Sequence, residues 1–136
     1  MSPTAALWIA GTLLVVSVAA GVVFRLLDGR RQGGGHLRFD PQHATTALGE
    51  RVTLVQFSTE ICTRCPQVRR MLSALAANHD GLAHVEVDLT HRADLAARYR
   101  VLQTPTTFVV DRSGAVRARF NGVPHRHALS EAIAAV

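Results

Sequence analysis

Two cysteines, Cys62 and Cys65, are the only ones in this chain, and two residues, Thr63 and Arg64, separate them. They follow a short apolar run rich in branched residues, Val52–Ser58, and stand at the start of a segment with helical spacing. Unpaired N–H groups and the dipole at a helix N-terminus stabilise a thiolate, which lowers its pKa and makes it a nucleophile. We therefore predict that Cys62 attacks a disulfide and that Cys65 resolves the resulting mixed disulfide.

The elements that must position this pair follow from apolar spacing. Val68, Met71, Leu72 and Leu75 predict one face of a helix over residues 62–78. The run before the cysteines predicts a buried strand, and the alternating segment HVEVDL at 84–89 predicts another. A strand, a helix and a second strand in this order form a βαβ unit with parallel strands.

The rest of the C-terminal part completes an α/β pattern. A short helix is predicted over 92–100, a strand over 106–111, an antiparallel partner strand over 115–120 and a last helix over 128–135. Asp40 followed by Pro41 predicts a further helix start, ended by Gly49. Together these elements predict a mixed central sheet of four or five strands with flanking helices.

The N-terminal part differs in composition. Residues 5–24 are uncharged, and as a helix they would span about 30 Å, the thickness of a bilayer core. Trp8 lies near one end and Arg25 ends the run. A cleaved signal peptide is the alternative, but no basic side chain precedes the run. We predict one transmembrane helix within residues 1–27. Because the basic residues follow it, the folded domain is expected on the cytoplasmic side.

The segment between anchor and domain, residues 28–37, reads DGRRQGGGHL and is predicted to be a flexible Gly-rich linker. The folded domain is assigned to residues 38–136. Every one of the 15 Lys+Arg residues is arginine, and they are scattered along the chain with few aromatic neighbours. This pattern argues against a nucleic-acid partner.

From Phe39 onward the chain resembles the thioredoxin superfamily. The resemblance rests on the strand-to-cysteine junction VTLVQFSTEICTRC, the VEVD strand, the segment YRVLQTPT and the bend at Gly122. It implies a thioredoxin-like fold with a cis bond before Pro105, which lies against the active-site disulfide. It also implies that Thr104 offers backbone groups to an extended substrate.

Departures from the family pattern concern the residues that tune the cysteines. Ile61 replaces the family's usual tryptophan at the substrate surface, and Thr63 and Arg64 replace its Gly-Pro. Gln56 stands where many thioredoxins hold a buried carboxylate that moves protons, and an amide cannot titrate. Either water or Glu60 then takes that role, or the exchange step is slower. Glu60 would also tend to raise the Cys62 pKa.

The resulting hypothesis is a membrane-tethered thiol–disulfide oxidoreductase. It needs no cofactor, because the two thiols hold the electrons. Its expected partners are protein or small-molecule disulfides and an electron-donating dithiol or reductase. One alternative keeps the chemistry on the extracytoplasmic side, for secreted or cytochrome-maturation substrates. Another is a non-catalytic metal carrier that uses Cys62, Cys65 and a histidine, with His125 and His127 as further candidates. The remaining histidines, His84 among them, are expected to face solvent.

Overall fold

A five-stranded sheet forms the centre of the computed structural model, which describes residues 1–136. The strands are β1 (Arg31–Gly33), β2 (Val52–Ser58), β3 (Leu82–Asp88), β4 (Thr106–Asp111) and β5 (Val116–Asn121). The helices are α1 (Pro3–Leu27), α2 (Cys65–Asn78), α3 (Ala93–Arg98) and α4 (Arg126–Ala134), with a 3-10 turn at Pro41–His43.

The strand order is β1-β5-β4-β2-β3. Strands β2 and β3 are parallel, whereas β2 with β4, β4 with β5 and β5 with β1 are antiparallel. This confirms the predicted mixed sheet and the βαβ unit around the cysteines. Strand β2 lies between β4 and β3, and all seven of its residues are buried, because both faces of the sheet are covered.

The two faces of the sheet carry separate apolar clusters, since successive side chains of a strand point to opposite faces. Leu54 of β2 packs with residues of α2 and α4, including Val68, Leu72 and Leu129. Phe57 packs on the other face, in a cluster that also holds the aromatic residues Phe39, Tyr99 and Phe108. The sheet is therefore held rigidly between two layers, and the loop that follows β2 starts from a fixed point.

Two predicted helices of the α/β domain differ from the structure by three residues or more at one end. Helix α2 starts at Cys65 rather than at residue 62, with Pro66 in its first turn, where a missing N–H costs nothing. The helix expected after Asp40 is only the 3-10 turn Pro41–His43. Thr45 and Thr46 follow it, and β-branched residues such as these have a low helix propensity.

The prediction of a flexible linker over residues 28–37 is wrong for residues 31–34. Arg31–Gly33 forms the edge strand β1, in register with Phe120 and Ala118 of β5. A Cβ atom on Gly34 would lie 1.8 Å from the carbonyl oxygen of Val116, so the backbone runs directly against β5. The open edge of β5 offers unpaired N–H and C=O groups to any extended segment, whatever its side chains.

Helix α1 comprises 25 residues, none of them buried. It is long and apolar enough to cross a membrane, a test that a signal sequence near an N-terminus would pass as well. The end of this helix runs through residues 28–30 directly into β1.

Candidate redox site

Cys62 and Cys65 are joined by a disulfide, with their Cα atoms 5.4 Å apart. Cys62 lies in the loop between β2 and α2 and is partly exposed, whereas Cys65 is the first residue of α2 and is 1% exposed. Only Cys62 is therefore open to an incoming sulfur atom. The start of α2 places the positive end of the helix dipole beside both sulfur atoms.

A groove of about 520 Å³ opens beside Cys62. One wall comes from the loop after β2 and includes Ile61, whose side chain is 92% exposed. The opposite wall comes from the loop before β4 and includes Thr104 and Pro105, which are joined by a cis peptide bond. The structure thus shows the predicted cis bond, and it brings together Ile61, Thr104 and Pro105 around Cys62.

The third wall of this groove was not anticipated from the sequence. Phe24, Arg25 and Asp28, at the end of α1, line it together with Gln103 and Gly122. These residues belong to segments that are far apart in the chain. Spacing and periodicity report only on neighbouring residues, so no sequence signal points to this wall.

Gln56 lies behind the disulfide and is fully buried. Its Nε2 donates to the carbonyl oxygen of Cys65 over 3.0 Å, and its Oε1 is 2.9 Å from Nε2 of His84. Because a carbonyl can only accept, the amide must direct Oε1 at His84, so His84 donates from Nε2. Gln56 therefore connects the second cysteine to a titratable side chain on β3.

The prediction that His84 faces solvent is wrong. Its side chain is half-buried between β2 and α2. Its Nδ1 lies 3.0 Å from Oγ of Ser73. Burial lowers the His84 pKa, with Glu86 opposing and Arg69 adding to the shift. The missed signal is the alternation of β3, in which His84 and Glu86 share the face of Gln56 while Val85 and Val87 share the other.

Glu86 anchors this polar face to helix α2. Arg69 donates to it twice, from Nε over 2.5 Å and from Nη2 over 2.7 Å, and Ser58 donates over 3.0 Å. The hydrogen bond from Arg69 is the largest cause that lowers the Glu86 pKa. Arg69 and Glu86 thus form an ion pair.

The other residues expected to tune the cysteines occupy different positions. Thr63 and Arg64 are exposed and line the groove. Arg64 is not a free charge, because its Nη1 lies 3.1 Å from Oδ2 of Asp28. Glu60 is exposed, is not among the residues that line the groove, and uses its backbone N–H to donate to Thr90.

The metal-carrier alternative gains no support from these positions. No group of three or more His, Cys, Asp or Glu side chains is arranged so that it could hold a metal ion. His127 pairs with Glu131 over 2.9 Å in α4. His125 uses its backbone N–H to donate to the carbonyl oxygen of Gly29.

The fold and the paired cysteines define the class as a thioredoxin-like α/β protein with a disulfide at the start of a helix. The sequence model of the thioredoxin family, described as "Thioredoxin", matches residues 39–135. The chain belongs to the thioredoxin family. This membership and the Cys62–Cys65 pair place it, at the level of class, among the thiol–disulfide oxidoreductases.

Several known thioredoxins are similar to this chain in sequence or structure. Sheep (Ovis aries) and cattle (Bos taurus) thioredoxins are each 28% identical over 81 residues, which is 60% of this chain and 76% of theirs. The solved structure of spinach chloroplast thioredoxin f has a TM-score of 0.57 at 20% identity, covering 64% of this chain and 77% of that one. A thioredoxin mutant from Halobacterium salinarum also has 0.57, at 23% identity, covering 63% and 74%.

Proposed function

We propose that this chain is a membrane-anchored thiol–disulfide oxidoreductase in which Cys62 is the nucleophile and Cys65 the resolving thiol. The observation that carries the proposal is the difference in exposure of the two bonded cysteines. Cys62 is partly exposed in a groove, and Cys65 is 1% exposed at the start of α2. A substrate sulfur can reach the first, and only the first can reach the second.

The proposed reaction starts from the reduced protein. The Cys62 thiolate attacks one sulfur of a substrate disulfide, forming a mixed disulfide and releasing one substrate thiolate. The Cys65 thiolate then attacks the Cys62 sulfur, which closes the Cys62–Cys65 bond and releases the second substrate thiolate. Two electrons pass to the substrate, and its two thiolates take up protons. A dithiol donor or a reductase regenerates the protein by the reverse exchange, and no cofactor takes part.

Surrounding residues have supporting roles in this proposal. Thr104 and Pro105 shape the groove for an extended substrate, and Ile61 offers an apolar contact beside it. Thr63, Arg64, Gln56 and Glu60 adjust the reactivity of the cysteines through charge and hydrogen bonding.

The proposed location is a single-pass anchor through residues 5–24 with the domain on the cytoplasmic side. Support comes from the long apolar helix α1 and from the arginines that follow it. Two reporter fusions to Val136 test which side of the membrane the domain occupies. One reporter is active only in the cytoplasm, and the other is active only outside it. Activity of the external reporter alone would favour the extracytoplasmic alternative.

The chemistry is tested by trapping. The full-length Cys65→Ser protein, reduced and mixed with a peptide disulfide, is expected to accumulate a mixed disulfide through Cys62, detectable by mass spectrometry. Cys62→Ser is expected to form none and to lose turnover. Equal turnover of Cys62→Ser and the wild-type protein would contradict the assignment of the nucleophile.

A further inference from the structure

Asp28, the residue directly after helix α1, contacts both loops that form the redox site. Its Oδ2 accepts from Arg64, between the cysteines, over 3.1 Å. Its Oδ1 accepts from Nε2 of Gln103, next to Thr104, over 3.2 Å. The Asp28 side chain is 17% exposed, whereas Arg64 is 60% exposed, so the carboxylate is enclosed by the loops that it joins.

The backbone of Asp28 and Gly29 also forms hydrogen bonds, both to α1 and to the domain. Its N–H donates to the carbonyl oxygen of Phe24 in α1. Gly29 donates to Asn121 and accepts from His125, which ties the same point to the end of β5 and the start of α4. With β1 paired to β5, the helix and the domain are joined without a free linker between them. We call the contacts of Asp28 and Gly29 the Asp28 clasp.

The level of the membrane follows from where the apolar run ends. Phe24 is the last residue of the uncharged segment, and Arg25 is the first charged residue after it. Such a boundary lies where a transmembrane helix leaves the hydrocarbon core. Both residues line the same groove as Cys62. The Cys62 sulfur therefore lies in a groove that begins at the membrane surface.

Apolar side chains stand exposed on both loops of the site. Ile61, directly before Cys62, is 92% exposed, and Leu102, directly before Gln103, is 97% exposed. These are the most exposed apolar side chains of the α/β domain. Two such residues, one on each loop of the site, suit a partner surface that is itself partly apolar.

We propose that the Asp28 clasp holds the redox groove at the membrane surface, so that its occupant is a disulfide-bearing segment of a membrane-bound protein. This inference rests on the proposed function and specifies its substrate class. A free linker would let the domain meet soluble partners at any height above the lipid. The clasp instead fixes both the height and the orientation of Cys62.

The test uses the full-length protein in phosphatidylcholine vesicles, reduced beforehand, with one cyclic disulfide peptide in two forms. One form is free in solution, and the other is coupled without a spacer to phosphatidylethanolamine in the same vesicles. The measured quantity is the ratio of the two single-turnover rate constants, lipid-held to free. For the wild-type protein the ratio is expected to exceed about 10, since confinement to one surface raises effective concentration.

Two variants separate the clasp from mere confinement to the membrane. A Gly-Ser hexapeptide inserted between Leu27 and Asp28 adds a flexible reach of about 13 Å, and Asp28→Ala removes the side-chain contacts. Each is expected to lower the ratio by at least about fivefold, although both proteins stay anchored. The same hexapeptide between Met1 and Ser2, and Glu50→Ala at an exposed acid, serve as controls with the wild-type ratio.

The outcomes are distinguishable. An unchanged ratio in both clasp variants, whether both rates persist or both fall equally, would overturn the membrane-surface inference while leaving the proposed function intact. Failure of the wild-type protein to react with either peptide would overturn the proposed function itself.

Discussion

Gln56 and His84 form a hydrogen-bonded pair behind the disulfide, with Nε2 of His84 2.9 Å from Oε1 of Gln56. The same amide donates to the carbonyl oxygen of Cys65. An uncharged side chain at this buried position thus has both of its polar ends satisfied. This explains how Gln56 is accommodated at a place where the family resemblance leads one to expect a carboxylate.

Replacing Gln56 by leucine is expected to destabilise the domain. The change leaves the Cys65 carbonyl and the His84 N–H without their partner in a buried setting, at a cost of about 2 kcal/mol. The measurement is the free energy of unfolding from urea titration. Gln67→Leu, at an exposed position of α2, is the matched control and should change stability by less than about 0.5 kcal/mol. Equal effects of the two changes would contradict the role of the buried pair.

His84 is expected to make stability depend on pH. Burial lowers its pKa in the folded protein, so the unfolded chain binds more protons between that pKa and the unfolded value of about 6.5. Stability from this group is therefore complete above about pH 6.5 and is lost as the pH falls below it. The charges of Glu86 and Arg69 act in opposite directions on this shift, Glu86 raising the His84 pKa and Arg69 lowering it.

The check for His84 compares unfolding free energies at about pH 5 and about pH 7.5. His84→Gln is expected to show a smaller loss of stability on acidification than the wild-type protein. His36→Gln, at an exposed residue, should leave the difference as it is. An identical pH dependence in His84→Gln and the wild-type protein would show that His84 does not carry it.

Asp111 is expected to be a main acid-sensitive support of the hairpin between β4 and β5. It accepts from Ser113 and Ala115 in the turn and from Nε of Arg117. The hydrogen bond from the Ser113 side chain is the largest of the causes that hold its pKa far below the ordinary value. Its contribution is therefore present above a pH of about 4 and is lost as the pH falls further.

Asp111→Asn keeps one acceptor oxygen but loses the charge that pairs with Arg117. The expected cost at neutral pH is about 2 kcal/mol, measured by urea unfolding, and the stability of the variant should fall less steeply on acidification. Asp80→Asn, at an exposed acid, is the control. A variant as stable as the wild-type protein would contradict this assignment.

Gly122 is expected to be required by the Asp28 clasp. Its φ is +76°, and a Cβ atom there would lie 2.3 Å from Oδ1 of Asp28. Gly35 has a similar φ of +61° with nothing within 4 Å of a built Cβ. Both changes to alanine carry the backbone strain of about 1 kcal/mol, and only Gly122→Ala displaces the carboxylate.

We therefore expect Gly122→Ala to destabilise the protein by at least about 1 kcal/mol more than Gly35→Ala. Thermal or urea unfolding of the full-length protein in detergent measures the difference. In an Asp28→Ala background the excess should shrink, because the displaced carboxylate is absent, and a double-mutant cycle quantifies this coupling. An excess that persists undiminished would show that the clash lies elsewhere.

The class of fold, the cysteine pair and the long apolar helix could be predicted from the amino-acid sequence. These features are written in residues that are neighbours in the chain. Spacing of three and four residues marks α2, branched residues mark β2, and the two cysteines are three positions apart. Local backbone preference and side-chain periodicity are enough to read such features.

The surroundings of the cysteine pair depend on contacts between residues that are distant in the sequence. Asp28 is hydrogen-bonded to Arg64, 36 positions away in the sequence, and to Gln103, 75 positions away. Gln56 is hydrogen-bonded to His84, 28 positions away. Residues 31–33 form a strand because they pair with the open edge of β5, although their composition predicted a linker. Such contacts depend on the path of the whole chain. Hydrogen bonding in the folded protein, rather than the preference of the local segment, selects them.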